Sequence, residues 1–173
     1  ADAYGKLGHW TEAVGSYKKA IQLKPDNEVF YINLGLAYYN LSRWSEAVES
    51  YKQAISIKPD FAEAHYNLGM AYGELGRVEE EIESYIKAIS INPDFLKAHY
   101  NLGVVYIGLE RFEESIESFK QAIRIKPDYA EAHANIGMAY LSQGDKNSAL
   151  QEYEILKKMN ADLAKKLFDL IYK

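Results

Sequence analysis

Three histidines, His65, His99 and His133, stand 34 residues apart. Zinc sites draw on imidazole nitrogens, so metal binding is the first chemistry to weigh. The interval argues against it. One step earlier the same column carries Tyr31, so the position takes a bulky ring of either kind. If each histidine belongs to one stacked helical unit, neighbouring rings sit roughly 8–10 Å apart. A zinc ion holds its nitrogens at about 2.1 Å. No metal is expected. Catalysis has no better footing. The chain lacks cysteine, hence any thiolate nucleophile or disulfide framework. It has no His-Glu-x-x-His pair, no G-x-G-x-x-G and no phosphate loop. Its serines have no orienting base beside them in sequence. The acidic run Glu79-Glu80-Glu81 reads as a complement to a helix N-terminus. Asn40-Leu41-Ser42 is a glycosylation sequon that matters only in a secreted chain. The expectation is a chain that is not an enzyme and takes no cofactor.

Asn33, Asn67, Asn101 and Asn135 keep the same 34-residue step, each just before a Leu-Gly or Ile-Gly pair. A primary amide offers one acceptor and two donor hydrogens. A ladder of amides can therefore grip the backbone of an extended peptide without reading its side chains. On a helix, Asn67 falls beside Met70 and near Glu63, off the stripe that holds Leu68 and Tyr72.

The whole chain repeats at this period. Prolines fall at 25, 59, 93 and 127, and tyrosines at 4, 38, 72, 106 and 140. Tyr17, Tyr51, Tyr85, Phe119 and Tyr153 form another column, as do Ala20, Ala54, Ala88 and Ala122. Each unit reads as two helices. In the third, Ala64, Leu68, Ala71, Tyr72 and Leu75 are spaced by three and four. Asp60, like Asp128 later, is placed to cap the helix start, and Gly76 to end it. A second helix from about Glu79 to Ile91 follows until the next proline stops it. Two short helices cannot bury their apolar stripes alone. Stacked copies can, which gives a solenoid.

The unit resembles the tetratricopeptide repeat, with Tyr31, Leu34-Gly35, Tyr38, Ala47, Tyr51 and Pro59 in that family's positions. The resemblance covers residues 1–159. It implies an all-α, right-handed superhelical solenoid of stacked antiparallel helix pairs. The expected repeats are 1–27, 28–61, 62–95, 96–129 and 130–161, within a single domain spanning 1–173. The first begins at its Leu-Gly position and so lacks the start of its first helix. In the last, Ala161 stands where proline is expected. A capping helix over 162–172 follows, with Leu163, Leu167, Leu170 and Ile171 on one stripe. A membrane-surface or partner-seeking helix is the other reading of that stripe.

The resemblance also implies that the asparagine face lines a concave groove. The array is similar to the repeat arm of O-linked N-acetylglucosamine transferases, whose asparagine ladder holds peptide, although asparagine is common at this column throughout the family. Neighbouring columns read Ile32, Tyr66, Tyr100, Ala134; Leu36, Met70, Val104, Met138; and Tyr39, Gly73, Ile107, Leu141. The expected peptide-binding residues are Asn33, Asn67, Asn101, Asn135, Tyr39, Tyr66, Met70, Lys97, Tyr100, Val104, Ile107 and Met138. Lys97 is the one positive charge on these columns in the complete copies, so a carboxylate clamp is not expected. A net charge of −5 disfavours nucleic acid, which needs a basic stripe. No apolar run approaches the roughly 18 residues of a membrane span. The chain therefore reads as a cytoplasmic scaffold that binds an extended or helical segment of a partner protein. Alternatives are the recruiting arm of a larger enzyme, such as a glycosyltransferase, and a structural protein that self-associates through its repeat ends. One position breaks pattern. Glu81 stands in a column otherwise filled by Ala13, Ala47, Ser115 and Ala149, so Glu81→Ala is expected to stabilise the fold.

Overall fold

The computed structural model describes residues 9–173, and among these the regular structure is helical throughout. The start of the first repeat, with Tyr4, lies outside the described residues. The all-α repeat array expected from the period is what the chain forms. It divides into two compact units, Ala1–Pro93 and Asp94–Lys173. The first contains α1 (Trp10–Leu23), α2 (Glu28–Asn40), α3 (Trp44–Ile57), α4 (Ala62–Glu74) and α5 (Val78–Ile91). The second contains α6 (Leu96–Gly108), α7 (Phe112–Ile125), α8 (Ala130–Ser142), α9 (Lys146–Met159) and α10 (Ala161–Ile171). The first-of-pair helices are α2, α4, α6 and α8. Each packs most closely on the helix that follows it.

The turns have local causes. Between the helices of a pair, one residue takes a left-handed backbone. It is Gly76 (φ 69°) and Gly144 (φ 79°), but Ser42 (φ 56°) and Glu110 (φ 57°) in the other two pairs. At the third of these turns the Arg111 N–H reaches the Tyr106 carbonyl at 2.9 Å, closing α6. A side chain is strained there and glycine is not. Glu110→Gly is therefore expected to raise stability by about 0.5–1 kcal/mol, read as a higher urea midpoint at unchanged slope. Equal or lower stability would mean that the glutamate side chain makes a compensating contact.

Between pairs, the Tyr129 N–H donates to the Lys126 carbonyl at 3.1 Å, so Pro127 and Asp128 are the central residues of a turn. This corrects the capping expected of Asp60 and Asp128. Helices α4 and α8 take Phe61 and Tyr129 as N-caps, with no side-chain cap bond. Because each helix starts beyond the turn, the aspartate stands one residue too early. Side-chain caps occur instead at Asn27, Asp145 and Asn160.

The Leu-Gly pairs shape the core. A Cβ built on Gly35 would stand 2.5 Å from Cε1 of Tyr51. On Gly69 it would stand 2.8 Å from Cε1 of Tyr85, and on Gly103 2.8 Å from Cε1 of Phe119. Glycine thus lets the ring of the second helix lie against the backbone of the first. The last pair differs. The side chain against Gly137 is Leu167 of α10, its Cδ2 2.5 Å from the added Cβ. Tyr153, which belongs to the ring column, instead stacks on Phe168 with centroids 5.3 Å apart. Helix α10 docks through Ala164, Leu167 and Ile171. The stripe expected from sequence is therefore split, with Leu170 49% exposed.

A further recurrence escaped the sequence reading. Arg43, Arg77 and Arg111 each lie over a tyrosine ring (Tyr38, Tyr72 and Tyr106) at 4.5–4.6 Å. Each also hydrogen-bonds to a glutamate three residues on, Glu46, Glu80 or Glu114. These exposed forks brace the turn within three of the pairs.

Candidate functional site

Two histidines of the column reach back to the turn before their helix. His65 places Nε2 2.9 Å from the Pro59 carbonyl, and His133 places Nε2 3.3 Å from that of Pro127. The rings tie the first helix of a pair to the turn before it. His133 also sets Nδ1 2.7 Å from Oε2 of Glu152. Among the described residues no group of three or more His, Cys, Asp or Glu side chains is arranged to hold a metal.

Glu81 has a partner. The Tyr85 hydroxyl hydrogen-bonds to its carboxylate, which fills the space left by Gly73, 2.7 Å from a Cβ built there. One pair earlier, Ala47 stands in the glutamate column, and the buried Tyr51 hydroxyl has no partner among the described residues. One pair later the ring is Phe119, without a hydroxyl, and Ser115 donates to the Gly103 carbonyl at 2.9 Å. This revises the expectation for Glu81→Ala, because that change would strand the Tyr85 hydroxyl as Tyr51's is stranded. Burial holds the Glu81 carboxyl above its ordinary pKa, the Tyr85 hydrogen bond opposes this, and nearby Glu74 adds to it. A carboxyl whose folded pKa is raised stabilises the fold at low pH and loses that contribution as pH rises through the raised value. Glu81→Gln, which keeps an acceptor for Tyr85, is expected to be more stable than wild type at pH 7. The gap should close below about pH 4, where an ordinary carboxyl is largely protonated. Thermal melts across pH check this, and a gap independent of pH would contradict it.

In the first unit, Asn33, Tyr39, Tyr66 and Met70 are half-buried on α2 and α4, and Asn67 is buried at 8% exposure. Tyr39 donates its hydroxyl to Oε1 of Glu74 at 2.9 Å, and burial followed by that bond pushes its pKa up to about 12. Tyr66 stacks on Tyr85 with centroids 5.7 Å apart.

In the second unit, Asn101, Tyr100 and Ile107 are half-buried on α6, where Lys97 is exposed. Val104 is 45% exposed, and Met138 on α8 is 38% exposed. Asn135 donates an amide hydrogen to the Tyr100 hydroxyl at 3.2 Å. That leaves its second N–H and much of its carbonyl oxygen's capacity. Tyr100, Asn135 and Met138 share a pocket of about 250 Å³ with Glu131, Ala134, Leu163, Lys166, Leu167 and Leu170. The wall contributed by α10 was missed in the sequence. The signal was present: on a helical projection Leu163 and Leu170 fall to one side of Leu167, while Ala164 and Ile171 fall to the other.

The fold and these exposed helix faces define a helical-repeat protein. A family model described as TPR repeat matches residues 1–42, 37–76 and 106–144, and one described as tetratricopeptide repeat matches 62–95 and 130–163. The chain belongs to the tetratricopeptide repeat family. Among solved structures it is similar to a crystal structure of MamA, with a TM-score of 0.87 and 29% identity over 95% of this chain and 96% of that one. It shares the fold of MamA from Desulfovibrio magneticus RS-1 (TM-score 0.84, 19% identity, 93% and 91% covered). The same fold is seen in YrrB, described as a TPR protein with an unusual peptide-binding site (TM-score 0.81, 19% identity, 97% and 88% covered). No curated protein sequence matches. Among the described residues no helix is long and apolar enough to cross a membrane.

Proposed function

We propose that the chain is a protein-interaction scaffold that holds an extended or helical segment of a partner against its first-of-pair helices. One observation carries this reading. In the second unit Val104 and Met138 are 45% and 38% exposed, each three residues after a half-buried amide, Asn101 or Asn135; in the first unit Leu36, 37% exposed, stands three residues after the half-buried Asn33. Apolar anchors next to side-chain amides are what a peptide needs: side-chain contacts for affinity, and donors and acceptors for its backbone. The peptide-binding site attributed to YrrB, which shares the fold, supports the same use of the scaffold.

The test begins with a random peptide library selected on the full chain. The strongest peptide is then titrated by fluorescence anisotropy. Val104→Asp and the pair Asn101→Ala/Asn135→Ala are expected to weaken binding, each lost ligand hydrogen bond costing about 0.5–1.5 kcal/mol. Lys120→Glu, on exposed α7 surface, should leave it unchanged. If Lys120→Glu abolished binding while the other variants bound normally, the reading would fail.

A further inference from the structure

Helix α10 does more than cover the last pair. Its docking line runs through Ala164, Leu167 and Ile171, all buried. A second line, Leu163, Lys166 and Leu170, faces the pocket with Ala134, Asn135 and Met138 of α8 and Tyr100 of α6. Leu170 and Met138 are 49% and 38% exposed, so the pocket has apolar walls with room between them. A pocket of about 250 Å³ accepts one branched or thioether side chain.

The charges at its rim choose the neighbour of that side chain. Lys157 pairs with Glu154, and Lys165 with Asp169. Lys166 lines the pocket and has no ion-pair partner among the described residues. Glu131 also lines the pocket, from α8, and is likewise outside any ion pair among the described residues. An ammonium on α10 and a carboxylate on α8 thus face the pocket from different helices. Tyr100 and Asn135 supply hydroxyl and amide groups between them.

We propose that this pocket is a specificity site for an acidic, leucine-type segment of a partner protein. An apolar side chain enters between Met138 and Leu170, and an adjacent aspartate or glutamate of the same segment pairs with Lys166. Glu131 repels a second acid on the α8 side and so fixes the direction in which the segment lies. The proposal rests on the scaffold reading above and adds the ligand's chemistry. Lys166 acts as a specificity residue, because an exposed charge at a rim discriminates partners more than it adds affinity.

The test uses the same random peptide library, selected in parallel on wild type, Lys166→Glu and Leu170→Asp. Both changes are at exposed positions, and melting curves confirm that each variant folds. Wild type is expected to enrich peptides carrying leucine, isoleucine or methionine within two positions of an acid. Lys166→Glu should keep the apolar residue and exchange the acid for lysine or arginine. It should also weaken the best wild-type peptide by roughly tenfold or more at low salt, and by less at high salt. Leu170→Asp should lose the apolar preference. Peptides that enrich on wild type with the same residues on both variants would overturn this proposal and leave the scaffold reading intact. No enrichment on wild type would overturn both.

Discussion

Deleting Asp162–Lys173 is expected to promote aggregation and to lower the melting temperature. The deletion removes Ala164, Leu167 and Ile171, which are 3%, 2% and 6% exposed, and uncovers the space against Gly137. Exposed apolar area of that kind drives association. The point version is Leu167→Ala. Its side chain is buried and takes the place that Tyr51, Tyr85 and Phe119 take in the earlier pairs, so its loss leaves a cavity and is expected to cost about 2–5 kcal/mol. Light scattering reports the first effect and urea unfolding the second. A monomeric, equally stable deletion variant would show that α10 is dispensable to the fold.

Gly103→Ala is expected to be a strongly damaging methyl addition in the second unit. The new Cβ would meet Cε1, Cδ1 and Cζ of Phe119 at 2.8–2.9 Å. Phe119 is 0% exposed, so its ring cannot swing clear. Overpacking of this kind costs about 1–3 kcal/mol. Adding Phe119→Leu, which copies the leucine found against Gly137, should recover part of the loss. A measurably additive double variant would contradict direct collision. Gly108→Ala is the control, since a Cβ there meets nothing within 4 Å.

The helices were legible because the 34-residue step aligns features with direct physical meaning. Proline cannot continue a helix, and apolar residues spaced by three and four mark the buried stripe of a helix. The turn conformations were half-legible. Gly76 announces a left-handed residue, whereas Ser42 and Glu110 adopt the same backbone without a sequence signal. The capping aspartates misled because a one-residue shift separates a turn position from an N-cap. Glu81 was read by column alone, and column logic does not see that the residue four positions on, Tyr85, supplies a hydroxyl. Of the candidate site, the asparagine ladder and apolar columns were visible. The share of α10 was not, because the cap departs from the period: it begins at Ala161, immediately after Asn160, with no Lys-Pro-Asp turn between.

Partner segments are proposed to bind on the exposed surfaces of first-of-pair helices. Methyl-labelled NMR of the full chain, titrated with the strongest selected peptide, tests this most directly. Shifts are expected at the methyls of Val104, Met138 and Leu170 in the second unit and of Leu36 in the first, all exposed. Leu23, Ile86 and Ile155 are also exposed, at 84%, 48% and 38%, but belong to second-of-pair helices α1, α5 and α9. Shifts confined to those three methyls would place the ligand elsewhere and contradict the account.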